Sequence, residues 1–379
     1  MLNTVHEVTL KSVPQLSLVA PAPTAPVRYL SPLRYPGAKA KLTPLIARMI
    51  ESAIAGGRLK HPLTLVEPFA GGAATTLRLL TDGVVDHAMI ADADPLVASF
   101  WIEAATNPAA LIESMNDEVG TYVAGGGQTA VDRWDYWHTW EPSPSDDPVS
   151  VQRQWAMKCL FLNRTTFSGI LHGNAGPIGG RAQTSEYKIG CRFNPDALAD
   201  RIRWIAHLHS IGKLATPSLA RWQDSLRTAS GQLEPAQAIV YLDPPYVEKS
   251  ARLYKTGFSK RFDNPDRWEG LTEHEELATY LATGTSLRWI LSYDDHPALL
   301  SSDTLYADTA TRPTPSTMAE GGQARDIIRR RVGLQHSASS QKKRRQVPEL
   351  ILTTLAESDC EGVGEAIQAE LAPQDAGSD

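Results

Sequence analysis

The run Ala238-Ile239-Val240-Tyr241-Leu242 is apolar without interruption and stops at Asp243-Pro244-Pro245-Tyr246. Five apolar residues without polar alternation predict a strand buried on both faces, as in the parallel sheet of an α/β protein. The two prolines end it, because each fixes φ and removes a backbone donor that a sheet ladder would need. Their carbonyl oxygens stay free to accept. Open α/β sheets bind their ligands at the carboxyl ends of the strands. A carboxylate, a rigid backbone and an aromatic face thus fall together at such an end. These are the parts that hold an aminopurine by its edge and against its ring.

Other strand–helix units fit the same plan. Leu63 to Pro68 is a short apolar run that ends in Ala70-Gly71-Gly72, and helical spacing resumes over Ala73 to Leu80. Strand, glycine turn and helix open a nucleotide-binding sheet, although a glycine pair alone fits a plain tight turn equally well. Ala88 to Ala91 is a second strand, closed by Asp92-Ala93-Asp94-Pro95. Asp92 follows Gly72 by 20 residues, the place of a ribose-binding acid, and it also suits a helix N-cap. Helices are predicted over Lys41–Ile54, Trp155–Leu162 and Pro195–His207, and further strands over Trp289–Tyr293 and Glu349–Thr353. Residues 106–150 mix helix signals with a polar, proline-bearing stretch. The glycine-rich segment from Asn163 to Cys191 is too long for an idle loop.

No stretch approaches the roughly 18 consecutive apolar residues of a membrane helix, and the N-terminus lacks the arrangement of a signal peptide. A cytoplasmic location without membrane attachment is expected. Cys159, Cys191 and Cys360 are widely spaced, so neither a metal site nor a structural disulfide is expected. The net charge of -6 argues against a polyanion partner until its distribution is considered. Residues 357–379 hold seven acids and no Lys or Arg, which predicts a solvated tail. Arg325 to Arg345 holds eight basic residues against one Asp, and Lys249 to Phe262 holds five and no acid. Local basic surfaces of this kind bind phosphates whatever the overall sign, unless they are ordinary solvated loops.

Taken in order, Tyr35-Pro36-Gly37-Ala38-Lys39, Glu67-Pro68-Phe69-Ala70-Gly71-Gly72, Asp92 and Asp243-Pro244-Pro245-Tyr246 resemble the motifs of Dam-type adenine-specific DNA methyltransferases. The similarity spans roughly residues 32–355. It departs at Ala38, where the family often has a second glycine. The resemblance implies a Rossmann-like class I methyltransferase sheet that uses S-adenosylmethionine, with an inserted, mostly helical or irregular target-recognition region. The implied division is an irregular tail (1–30), a cofactor-binding half (31–160), the insertion (161–235), a catalytic half (236–356) and an acidic disordered tail (357–379).

By the same resemblance Tyr35, Lys39, Glu67, Phe69, Ala70, Gly71, Asp92 and Asp243 bind S-adenosylmethionine. Asp243 and the Pro244 carbonyl accept the amino hydrogens of an extruded adenine, Pro245 stiffens the turn and Tyr246 stacks on the base. Arg164, Arg181, Lys188 and Arg192 are expected to touch double-stranded DNA, and Lys249, Arg252, Tyr254 and Lys255 to clamp its phosphates. Lys342 to Arg345 would add non-specific phosphate contacts. Asn163 and Arg164 fit equally a bracing role beneath the catalytic loop. Ser292-Tyr293-Asp294-Asp295 fits a strand-ending turn or a wall of the adenine pocket. His172 and His336 have no nucleophile or metal partner in the sequence and read as solvated or structural. No metal is required. A separately encoded restriction nuclease is a conceivable partner. RNA adenine, cytosine, or DNA binding without catalysis are the competing readings.

Overall fold

The computed structural model describes residues 30–34, 41–246, 272–295, 299, 306, 327–335 and 346–366. Its strands are β1 (Thr64–Glu67), β2 (His87–Asp92), β3 (Ser218–Leu219), β4 (Ala238–Leu242), β5 (Arg288–Asp294), β6 (Ile328–Gln335), β7 (Gln346–Thr353) and β8 (Glu365–Ala366). They form one sheet in the order β3-β2-β1-β4-β5-β7-β6-β8. Strands β1 to β5 pair in parallel, and β7 lies antiparallel between β5 and β6. This is the expected Rossmann-like α/β arrangement. The strand order reverses between β1 and β4, which places a topological switch point beside Glu67 and Asp243.

Alternation along the central strands builds a core on each face. Ile239 and Tyr241 of β4, Ile290 of β5 and Ile351 of β7 join one cluster. Val240, Leu242, Trp289, Leu291, Leu350 and Leu352 join the other. Successive side chains point to opposite faces, so strands this apolar must be covered on both sides. Helices provide the cover: α1 (Thr43–Ala55), α2 (Ala74–Thr81), α3 (Pro95–Thr106), α4 (Pro108–Glu118), α5 (Gly127–Thr139), α6 (Pro148–Thr165), α7 (Pro195–Ser210), α8 (Trp222–Gln232) and α9 (Thr272–Thr279). Three of them begin with the same device. Asp94-Pro95, Asp147-Pro148 and Asn194-Pro195 each set a capping side chain on a backbone N–H of the first turn, with proline in the first helical position.

Two expectations change here. Helix α6 runs unbroken past residue 160 to Thr165, so the boundary at 160/161 falls inside a helix. Leu198, Ile202 and Ile205 of α7 join the same core as Phe100 and Trp101 of α3, and β3 pairs with β2. Within 161–235, the stretch between α6 and α7 is therefore the irregular part. The acidic segment is also folded at its start. Asp359 is buried, takes two hydrogen bonds from the Arg58 guanidinium (one at 2.7 Å) and accepts from Ser52 at 3.2 Å, while Glu365–Ala366 pairs with β6. A tail carrying these partners is structured through Ala366. No helix among the described residues is long and apolar enough to cross a membrane.

Candidate active site

Asp243 leaves the carboxyl end of β4 half-buried, followed by the buried Pro244 and Pro245 and the half-buried Tyr246. Ser292 on β5 stands 3.3 Å from Asp243 Oδ1, 3.4 Å from the Leu242 carbonyl and 3.1 Å from the Tyr241 hydroxyl. Its placement follows from the β4–β5 register, which sets Leu242 against Leu291. Ser292 therefore lies within β5 and not in the turn that ends it. The Tyr246 hydroxyl donates to Glu349 of β7, 3.0 and 3.2 Å from its two oxygens. Burial, then the Asp243 and Glu349 carboxylates, hold that hydroxyl protonated far above its ordinary range.

Across the switch point, Glu67 ends β1 fully buried and accepts from the Thr76 hydroxyl. Burial, with added repulsion from Asp243 and Asp92, pushes its carboxyl up to about 8. The following turn is drawn onto β2: the Ala70 N–H reaches the Ala91 carbonyl at 2.9 Å and the Gly71 N–H reaches Asp92 at 2.8 Å. Gly71 has φ +45°, left-handed backbone that glycine adopts without cost, and its carbonyl receives the Trp101 indole N–H at 2.9 Å. The other Asp92 oxygen accepts from the Asp94 N–H at 2.9 Å. Burial and then the neighbouring Asp94 raise Asp92 to about 7. The helix cap is Asp94, not Asp92, so the capping reading of Asp92 is set aside. Phe69 is half-buried beside this turn.

Asn163 is fully buried and braces backbone: its carbonyl accepts the Arg34 N–H at 2.7 Å, and its amide donates to the carbonyls of Arg34 and Gly169 at 2.6 and 3.1 Å. The brace thus supports Arg34 and the loop after α6, rather than the catalytic turn. Gly169, at φ +75°, allows this approach, since a Cβ there would stand 2.5 Å from the Arg34 carbonyl. Arg164 is 6% exposed, so its guanidinium is not displayed for DNA. Burial, then Arg201 and Arg34, lower it to about 9, and its Nε and Nη2 have no hydrogen-bond partner among the described residues.

The exposed recognition candidates lie close in sequence. Arg181 forms a bidentate pair with Asp135 at 2.7 and 2.8 Å, and Arg192 lies 6.0 Å over the Tyr187 ring. Lys188, Tyr187 and Phe167 are exposed on the same segment, Phe167 at 67%. Tyr35, Lys39, Lys249, Arg252, Tyr254 and Lys255 lie outside the described residues, as do His336 and Lys342–Arg345. The basic stretch 325–345 is partly spent inside the fold. Arg329 is buried against the Tyr306 and Ile327 carbonyls, Arg330 pairs with Glu357, and Arg331 holds Asp295 at 2.7 Å. These three do not form a phosphate surface. Sequence reasoning missed Thr76, Trp101 and Glu349; His172, read as solvated or structural, meets the Asp94 carboxylate. Among the described residues no group of three His, Cys, Asp or Glu could hold a metal.

The family model of the D12 class N6 adenine-specific DNA methyltransferases matches residues 35–275, more than half of the chain. No curated protein matches it.

Proposed function

This chain belongs to the D12 class N6 adenine-specific DNA methyltransferases and methylates the N6 amino nitrogen of adenine in DNA; we propose that S-adenosylmethionine is its methyl donor and that Asp243, Pro244 and Tyr246 act on an adenine extruded from the duplex. The observation that carries the proposal is Asp243 held by Ser292 at the switch point, facing the acid-rich end of β1 and β2.

The residues present fit the donor. Glu67 is raised first by burial and then by Asp243 and Asp92 at the same end of the sheet, and a ligand that brings an ammonium and a sulfonium would stabilise its ionised form. Glu67, Phe69, Ala70 and Gly71 would hold its methionine end and Asp92 its ribose hydroxyls, with Tyr35 and Lys39 contributing from the opening motif. The chemistry supplied by bound S-adenosylmethionine is an electrophilic methyl carbon on a sulfonium.

The protein must make a poor nucleophile competent. The N6 lone pair of adenine is delocalised into the ring. An acceptor on each amino hydrogen, the Asp243 carboxylate and the Pro244 carbonyl, draws the nitrogen toward tetrahedral geometry and frees that pair. Asp243 in its ionised form also stabilises the positive charge that develops there. Ser292 fixes the carboxylate, which keeps the acceptor where the amino group arrives. A base inside a duplex is out of reach, so the nucleotide flips, and stacking on Tyr246 recovers part of the cost. Arg181, Lys188 and Arg192, with Lys249, Arg252, Tyr254 and Lys255, would supply phosphate and base contacts. Arg164 would join them only if its buried guanidinium were uncovered. The stretch between α6 and α7 is the proposed recognition element, and the cytoplasm the proposed compartment.

The test is incubation of purified protein with labelled S-adenosylmethionine and duplex DNA, RNA or protein, followed by digestion to nucleosides or amino acids. N6-methyladenine in DNA is expected. Label in cytosine or in RNA alone would overturn the substrate. Asp243→Ala should abolish transfer while duplex binding persists.

A further inference from the structure

Glu349 sits in β7 with its side chain 3% exposed, followed directly by the buried Leu350, Ile351 and Leu352. A carboxylate buried next to an aliphatic run costs stability unless hydrogen bonds satisfy it. Here the Tyr246 hydroxyl donates its one proton to the carboxylate, 3.0 and 3.2 Å from the two oxygens. The strand register explains how the two meet. Glu349 pairs with Asp294 at the carboxyl end of β5, so it lies at the same end of the sheet as Asp243 and the prolines that carry Tyr246. It also lies beyond residues 35–275, the segment that matches the family, so the turn that grips the base is completed by a later part of the chain.

We infer that Glu349 is a positioning residue for methyl transfer, which anchors the Tyr246 hydroxyl and so sets the ring before the extruded adenine arrives. This rests on the reading of Tyr246 as the stacking ring. Buried prolines fix the backbone at the near end of the side chain, and the carboxylate fixes the far end. A phenolic O–H prefers to lie in the plane of its ring, so the direction of the acceptor also biases the tilt of the face. A ring ordered in advance spares the flipped state that ordering cost. Glu349 touches neither adenine nor donor in this scheme.

The test compares Tyr246→Phe, Glu349→Gln, Glu349→Leu and the double variant Tyr246→Phe/Glu349→Leu on duplexes carrying adenine or 2-aminopurine at the target. Losing one hydrogen bond to a charged group predicts a roughly tenfold lower kcat in Tyr246→Phe and in Glu349→Leu. The fluorescence gain of extruded 2-aminopurine should fall in parallel, while KM for DNA changes little. Glu349→Gln keeps an acceptor and should recover most of both signals. The double variant should be no slower than either single one, because both remove the same contact. Multiplied losses, or a normal kcat and fluorescence in Tyr246→Phe, would overturn the inference. If Glu349→Leu does not fold, Tyr246→Phe and Glu349→Gln decide it alone. Wild-type protein that forms no N6-methyladenine would refute the underlying reading instead.

Discussion

The His172 imidazole stands 2.5 Å from the Asp94 carboxylate and ties the loop after α6 to the end of β2. Asp94 serves three partners: it caps α3 through the Leu96 N–H, receives His172, and gives its own N–H to Asp92. The loop that displays Phe167 is thereby fixed to the strand end that carries the ribose-binding candidate. His172→Ala should weaken duplex binding and leave the affinity for S-adenosylmethionine nearly unchanged. Asp94→Ala should impair both and lower stability by about 1 kcal/mol through the lost cap. Binding isotherms for each ligand, with thermal melts, check this; unchanged duplex binding in His172→Ala would refute the tether.

The raised carboxyls at Glu67 and Asp92 give a signed pH dependence. Glu67 titrates near 4.5 when unfolded and at about 8 when folded, so between those values the native state holds a proton that the unfolded chain has lost. Stability from this group is full below about 4.5 and declines as pH rises toward about 8, each unit being worth about 1.4 kcal/mol. The melting temperature of the ligand-free protein should fall across that window, and Glu67→Gln should flatten the slope. A cationic ligand favours the ionised forms, so donor binding near pH 7 should release protons. Calorimetry in buffers of different ionisation enthalpy would detect this release.

The turn after β1 depends on Trp101 as well as on glycine. Trp101→Phe removes the indole donor from the Gly71 carbonyl and should cost about 1 kcal/mol of stability. Gly71→Ala keeps that bond but forces an alanine to φ +45°, at roughly 1–2 kcal/mol. Both variants should lose affinity for the donor more than for duplex DNA, as paired titrations would show.

Arg164 separates stability from binding. With Nε and Nη2 unpartnered among the described residues and two further arginines close by, replacement by an apolar side chain should relieve electrostatic cost. Arg164→Met is expected to melt at the same temperature as the parent protein or higher. If the guanidinium also meets a DNA phosphate when bound, the salt slope of duplex affinity will drop by about one. An unchanged slope would leave Arg164 as a purely internal residue.

Residues 238–246 were legible because a continuous apolar run followed by two prolines admits few other structures. Pro195 gave the start of α7 for a similar reason, its ring being suited to a first helical turn. Asp147-Pro148 carries the same signal for α6, but it lies in a polar, proline-bearing stretch whose helix signals are mixed. The far end of α6 was also cut short, because Asn163 and Arg164 look exposed in sequence yet are buried. Ser292 against Asp243, and Glu349 against Tyr246, depend on how β5 and β7 align with β4. Such register is a property of the assembled sheet, and no local pattern encodes it. Two-residue strands such as β3 are too short for any periodicity to mark.

Those short strands have a bearing on solubility. Among the described residues the sheet ends at one margin in Ser218–Leu219 and at the other in Glu365–Ala366. β8 covers the eight-residue β6 only at Arg330 and Arg331, and the charged side chains of that strand are themselves a guard against strand addition, the usual route to edge-to-edge aggregation. An enzyme crowded along a polymer can then meet further copies of itself without their sheets fusing.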